Sequence, residues 1–310
     1  MFDVMVIGGG PAGLSAALVL GRQRRRVLLV DGGAPRNAPA GEMHMYLGRD
    51  GEPPGNLLAA GRAEVATYPD VDLRQGRVMV VGGELGAFTV ELADGTRETG
   101  ARVLLATGQV DEPLDVPGLA QRWGESVFHC PFCHGYEARD KTIAVIGADV
   151  PQVMLGVYLA DRYCDDVVVC TAGPHELPAE VTTLLAARGV EIRTEPLAGI
   201  EGELDALELH FADGSRLLRQ AIFHRAPTRQ HSTLAVQLGC RLLPDGCVLV
   251  DEFGRTTVPG VSAAGDMARL EALPDALTLV APGAADGVRA AVWLELEYFR
   301  AGLQPASVPS

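Results

Sequence analysis

The chain has 310 residues, with 26 Lys+Arg against 40 Asp+Glu and a formal net charge of −14 at pH 7. At 47% hydrophobic and 21% charged it has a globular composition, and its length suits about two domains of roughly 100–200 residues each. Such acidity gives no electrostatic footing for nucleic acid or an anionic membrane, both of which reward clustered Lys/Arg. Only one lysine is present, Lys141, and no P-loop surrounds it.

Phe2–Ile7 is a strand-length apolar run that ends in glycines. The stretch from Phe2 to Gly21 is nearly uncharged, but it lacks a basic start, carries Asp3 and is broken by Gly8-Gly9-Gly10-Pro11. It therefore reads as neither a signal peptide nor a membrane span, and the chain is expected to be cytoplasmic. Pro11–Leu20 reads as a helix and Arg26–Val30 as the next strand, giving one βαβ unit of a parallel sheet. The basic run Arg22–Arg26 reads as a solvated helix end. A second unit runs through Thr142–Ile146, a helix over Val153–Tyr163, and a strand at Asp166–Val169. Each unit is followed by an Asp-Gly hairpin, at Asp94-Gly95 and at Asp213-Gly214. Breaker-rich Asp111–Gly118 marks a crossing between domains, Arg241–Gly246 the return crossing, and Pro305–Ser310 a tail expected to fray.

The turn Gly8-x-Gly10-x-x-Gly13 lies between strand and helix, with Asp31 ending the following strand. The first glycine permits the turn, the second lets backbone approach a pyrophosphate, and the third lets helix and strand pack closely. Asp31 stands near the offset at which an acidic side chain accepts from ribose hydroxyls. The run Cys130-Pro131-Phe132-Cys133-His134 holds two sulfurs close enough to cycle between dithiol and disulfide. A zinc half-site would need a second Cys/His pair, whereas Cys164, Cys170, Cys240 and Cys247 are scattered and read as core residues. Cys-x-x-Cys-His is also the c-type haem attachment signature, but that belongs to exported chains. A redox-active disulfide is the reading that fits best.

Val103–Gly108 and Gly260–Asp266, added to the first glycine turn, resemble the FAD domain of the two-dinucleotide-domain flavoprotein disulfide reductases. The resemblance implies cofactor contacts from Gly8, Gly10, Gly13, Asp31, Gly108, Gly265 and Asp266. A Cys-x-x-Cys just before the second Rossmann-like unit is similar to the low-molecular-weight thioredoxin reductase group. That likeness implies an α/β fold of two Rossmann-like dinucleotide-binding domains, the second inserted into the first, and commonly a homodimer. The expected division is 1–112 for the first part of the FAD domain, 113–240 for the central domain, and 241–310 for the completion of the FAD domain. Cys133 is implied to be the thiol nearer the flavin and Cys130 the interchange thiol. Thioredoxin reductases follow the pair with an aspartate proton donor; here His134 stands there, and an ordinary imidazole near 6.5 suits proton transfer. His129 flanks the pair too and reads first as a packing or hydrogen-bonding residue, with a base as the second choice. The segment Ala281–Gly287 is expected to precede a helix whose N-terminus faces the flavin pyrimidine.

The central unit departs from the group. The nicotinamide motif should repeat after Ile146, yet the aligned positions are Gly147, Asp149 and Gln152, with Pro151 inside. Asp149 adds bulk and like charge where a diphosphate should approach. No arginine or acidic residue ends the next strand at Val169–Gly173, so NAD(P)H has little support. Cys130–Glu137, Asp31–Asn37 and Gly48–Gly51 resemble the branch that includes the dithiol oxidases of gliotoxin, holomycin and romidepsin biosynthesis. That resemblance implies an FAD-dependent oxidase that closes a disulfide in a small molecule and passes electrons to oxygen. The alternatives are an NAD(P)H-driven reductase of a thioredoxin-like protein, and a flavin-bearing redox sensor. No metal site is expected.

Overall fold

A computed structural model describes residues 1–303; the tail Pro305–Ser310 lies outside the described residues. The chain divides into two compact units: residues 1–38, 45–110 and 229–310 form the first, and residues 39–44 and 111–228 the second.

In the first unit, β1 (Phe2–Ile7), α1 (Pro11–Arg22), β2 (Val27–Asp31), α2 (Pro54–Val65) and β3 (Val71–Gln75) are followed by β4 (Val78–Gly82), β5 (Phe88–Leu92) and β6 (Arg97–Leu105). The seven-stranded sheet has the order β3-β2-β1-β6-β5-β4, and the short strand Val261–Ala263 pairs with β6. β1, β2, β3, β6 and Val261–Ala263 are parallel, while β5 runs antiparallel to both β4 and β6. Side chains alternate between two cores. Met5, Ile7, Leu28 and Val30 face one core with Phe88 and Val248; Val4, Val6, Val27 and Leu29 face the other with Leu20, Leu58 and Leu294. Alternation of this kind explains the continuous apolar runs, because a sheet covered on both faces has no polar side. Each fully buried Val or Leu contributes roughly 1.5–3 kcal/mol.

The second unit repeats the plan. Its five-stranded sheet contains Ile143–Ile146, Val167–Cys170, Glu191–Arg193, Ala221–Phe223 and Val127–Phe128, with the helix Val150–Arg162 packed beside it. Ile143, Val145 and Val169 face a core with Val153 and Leu159; Ala144, Ile146 and Val168 face one built with Leu207, Leu209 and Phe211. Both Asp-Gly hairpins form, between β5 and β6 and between Ala206–Phe211 and Arg216–Arg219.

Three expectations about organisation change. The return to the first unit falls at Thr228/Arg229, not at Arg241–Gly246. Pro244-Asp245-Gly246 instead closes a turn inside the first unit, where Leu243 N donates to Cys247 O and Leu242 bridges to Val248. A short stretch, residues 39–44, also belongs to the second unit although its neighbours on both sides belong to the first. The helix near the C-terminus spans Val280–Leu303, so Ala281–Gly287 forms its opening turns and does not precede it. Among the described residues no helix is long and apolar enough to cross a membrane.

Candidate active site

All seven residues expected at a dinucleotide lie in the first unit at the carboxyl ends of parallel strands. Gly8 follows β1, Asp31 ends β2, Gly108 follows β6, and Gly265-Asp266 follows Val261–Ala263. This is the edge at which open α/β sheets bind ligands. The glycines divide their tasks by contact. Gly8 has φ +109°, and a Cβ there would lie 2.2 Å from the Ala106 carbonyl oxygen. A Cβ on Gly13 would lie 1.8 Å from Gly8 O, so α1 and β1 touch through backbone alone. Gly10 is different: nothing lies within 4 Å of its Cβ position. It is the N-cap of α1, with no side-chain cap on the helix N–H groups. An open approach to uncapped N–H groups is what a diphosphate needs, so these residues fit FAD.

The sequence pattern missed Gly9, whose Cβ would sit 2.4–2.6 Å from the Asp31 carboxyl group. Its missing side chain makes room for that carboxylate. Asp31 Oδ1 accepts from Gly33 N at 3.0 Å, and Oδ2 accepts from Arg62 Nη2 at 2.7 Å. Across the cradle, Arg36 Nη1 lies 3.2 Å from Asp266 Oδ2. Neither arginine was singled out from the sequence, because both partners are remote in the chain. Gly265 has φ +76°, and a Cβ there would meet Ala12 Cβ at 2.9 Å, so the Gly-Asp turn abuts the start of α1. Burial raises the Asp286 carboxyl above the usual carboxylate range, partly opposed by Arg289 and by a hydrogen bond from Gly265 backbone.

The cysteine pair lies in the second unit on a single helical turn. Cys130 is the N-cap of Pro131–His134, and the N–H groups of Cys133 and His134 both donate to Cys130 O at 3.2 Å. Cys133 thus stands one turn from Cys130 along the helix. Phe132, between them, is 60% exposed.

His134 follows the pair, as expected, but its ring is buried. It stacks on Phe128, with centroids 4.5 Å apart and 14° between planes, and meets the His44 ring edge-on at 6.4 Å. Burial, and secondarily His44, lowers its pKa to about 4. The ordinary imidazole expected from sequence is therefore replaced by one that stays neutral down to about pH 5. His44 comes from the short 39–44 stretch, with Nε2 at 3.6 Å from both Glu42 and Glu137 carboxylates. His129 Nδ1 lies 3.9 Å from Asp111, beside the Trp123 ring. His224 is a core residue: Nδ1 meets Ile146 O at 3.0 Å, and Nε2 accepts from Leu114 N at 3.3 Å.

The second unit's own glycine turn is closed. The helix Val150–Arg162 begins with Asp149 as N-cap, and its Oδ1 accepts from Gln152 N at 2.8 Å. Gln152 is 4% exposed and locked to Arg225 backbone by two hydrogen bonds, Nε2 to O at 2.6 Å and N to Oε1 at 3.0 Å. Its side chain lies against Gly147, where a Cβ would be 2.5 Å away. Thus the helix start that could face a second dinucleotide carries a carboxylate and a fixed amide.

Of the other cysteines, burial pushes Cys170 up to about 12 and Cys247 up to about 11. Cys164 and Cys240 are raised for the same reason. All four are free thiols.

A family model for pyridine nucleotide-disulphide oxidoreductases matches residues 2–287. The chain belongs to that family. Among curated relatives, thioredoxin reductase tcpT of Claviceps purpurea is 33% identical over 290 residues, covering 89% of each chain. Thioredoxin reductase sirT of Leptosphaeria maculans is 35% identical over 295 residues, covering 86% of this chain and 87% of its own. Among solved structures, HlmI superposes with a TM-score of 0.89 at 39% identity, covering 97% of this chain and 94% of that one. The pyridine nucleotide-disulphide oxidoreductase described here is thus an enzyme with the thioredoxin reductase-like α/β fold, and its family implies FAD.

Proposed function

We propose that this oxidoreductase is an FAD-dependent dithiol oxidase that closes a disulfide in a small molecule through Cys130 and Cys133. The observation that carries the reading is the closed helix start at Asp149 and Gln152. A reductase must take hydride from a nicotinamide dinucleotide, and a diphosphate would meet like charge and a locked amide at that turn. No arginine follows the strand Val167–Cys170 to hold a 2′-phosphate.

In the proposed reaction the first substrate thiol gives up its proton and attacks Cys130 Sγ of the Cys130–Cys133 disulfide. A mixed disulfide forms and Cys133 leaves as thiolate. The second substrate thiol, also deprotonated, attacks the substrate sulfur and displaces Cys130, so that the product disulfide is complete and two electrons rest on the cysteine pair. FAD supplies the relay of those electrons to dioxygen, which takes two protons to become hydrogen peroxide. Gly10 and the start of α1 would hold its diphosphate, with Gly13 keeping α1 close to β1, Asp31 on the adenosine ribose and Asp266 near the ribityl chain. His134, neutral above pH 5, is open to receive a thiol proton but retains it weakly.

A second reading rests on the relatives named thioredoxin reductase: NAD(P)H-driven reduction of a thioredoxin-like protein. Anaerobic mixing with NADPH, NADH or a small dithiol, followed at the flavin absorption band, separates the two. Bleaching by dithiol alone, lost in Cys130→Ser, is the expected result. Rapid bleaching by NADPH would overturn the oxidase reading, and bleaching by no donor would point to a redox sensor.

A further inference from the structure

The Gly265-Asp266 turn abuts the first turn of α1, with Ala12 Cβ 2.9 Å from the Gly265 Cβ position. A diphosphate at the open N–H groups of α1 would therefore come close to the turn that carries Asp266, and like charges at short range repel. The chain as a whole adds to the repulsion, since its net charge is −14. A guanidinium stands beside that carboxylate. Arg36, on the loop after β2, reaches Asp266 Oδ2 at 3.2 Å, and the two side chains are only 16% and 23% exposed. Solvent screens such a pair weakly.

We propose that Arg36 is the positioning residue that allows Asp266 to serve a flavin dinucleotide, by cancelling its charge and fixing its carboxylate. The inference rests on the FAD reading above. The role needs no direct contact between Arg36 and the cofactor. A planar guanidinium suits it, because it holds a carboxylate in a fixed orientation. The other acidic residue of the cradle shows the same pairing, Asp31 with Arg62 at 2.7 Å, but Arg62 is 36% exposed. Solvent screening makes that pair the weaker case and a useful control.

The test measures FAD affinity of flavin-stripped, full-length protein by fluorescence titration, together with the melting temperature before FAD is added. Arg36→Ala is expected to weaken FAD about 10- to 100-fold, the scale of a lost charge-assisted contact. Arg36→Lys should recover much of that loss, because the charge returns without the fork. In an Asp266→Asn background the Arg36→Ala penalty should shrink several-fold, since no carboxylate remains to neutralise. Arg62→Ala should weaken FAD by less than about 5-fold. An Arg36→Ala protein that binds FAD like the parent overturns the proposal, as does an equal penalty in the Asp266→Asn background. If Arg36→Ala lowers the flavin-free melting temperature, the Arg36→Lys variant and the Asp266→Asn comparison decide the matter in its place. A folded parent protein that takes up no FAD overturns the cofactor reading itself, which is a distinct outcome.

Discussion

Replacing Gly10 and Gly13 in turn separates binding from folding at the start of α1. A Cβ on Gly10 meets no protein atom within 4 Å, and φ is −75°, an angle any residue adopts. As N-cap, alanine in place of glycine costs at most about 1 kcal/mol. The same methyl group lies where backbone must approach a diphosphate. Displacing one charge-assisted hydrogen bond, worth about 1.5–3 kcal/mol, weakens FAD roughly 10- to 150-fold. Gly13→Ala is another matter, because its Cβ would fall 1.8 Å from Gly8 O and 2.9 Å from Gly8 C. Backbone cannot yield as a side chain can, so α1 must move away from β1 at a cost of about 1–3 kcal/mol or more. The assay is a thermal melt of flavin-free protein beside an FAD titration. The expected pattern is a melt lowered by no more than about 4 °C with weak binding for Gly10→Ala, and loss of both for Gly13→Ala. Parent-like FAD affinity in Gly10→Ala would refute the placement of the diphosphate at this helix.

Further outcomes follow from the second unit. His134 is held near 4 against 6.5 in an unfolded chain, so its contribution is fully present above about pH 6.5 and lost as pH falls through 4. That loss is worth up to about 3 kcal/mol; urea midpoints at pH 7 and pH 5 should converge in His134→Gln. Cys170 and Cys247, pushed up to about 12 and about 11, should resist iodoacetamide in the native protein, while the reduced Cys130–Cys133 pair alkylates; mass spectrometry of the peptides checks this. Asp149→Ala should cost about 1 kcal/mol in urea unfolding through loss of the N-cap while FAD content stays at the parent level.

What could be read from the sequence was local. The glycine turn after Phe2–Ile7 and the Asp-Gly hairpins depend on neighbours in the chain, and each element stands where the spacing placed it. Boundaries set by tertiary contact were less legible. The central helix starts at Val150 and not at Val153, because Asp149 caps it and Pro151 sits in its first turn; Asp followed by Pro is a signal that could have been used. Ala281–Gly287 was expected to precede a helix, yet it lies within one, where Gly287 lets the backbone of Ala12 approach: a Cβ would be 2.0 Å from Ala12 O. Arg241–Gly246 looked like a crossing because a turn and a crossing share composition. His134 follows the cysteines in the chain, but its low pKa comes from burial and secondarily from His44, and no local pattern announces that His44 packs there. Arg36 and Arg62 were invisible for the same reason.

The two units begin their helices alike in sequence and differ in what occupies the helix start, and that difference orders the chemistry. At α1 the N-cap is Gly10, which offers no side chain to the helix N–H groups; at Val150–Arg162 the N-cap is Asp149, which takes the Gln152 N–H for itself. Orphan N–H groups at a helix start must find an acceptor in solvent, side chain or ligand. A chain that satisfies them internally gains stability and gives up anion affinity at that position. The central unit has therefore kept its sheet, its helix and its cysteine pair while its own residues fill the turn where a nicotinamide diphosphate would bind. Under the proposed function, this difference is what makes thiols at Cys130, and not a nicotinamide, the source of electrons.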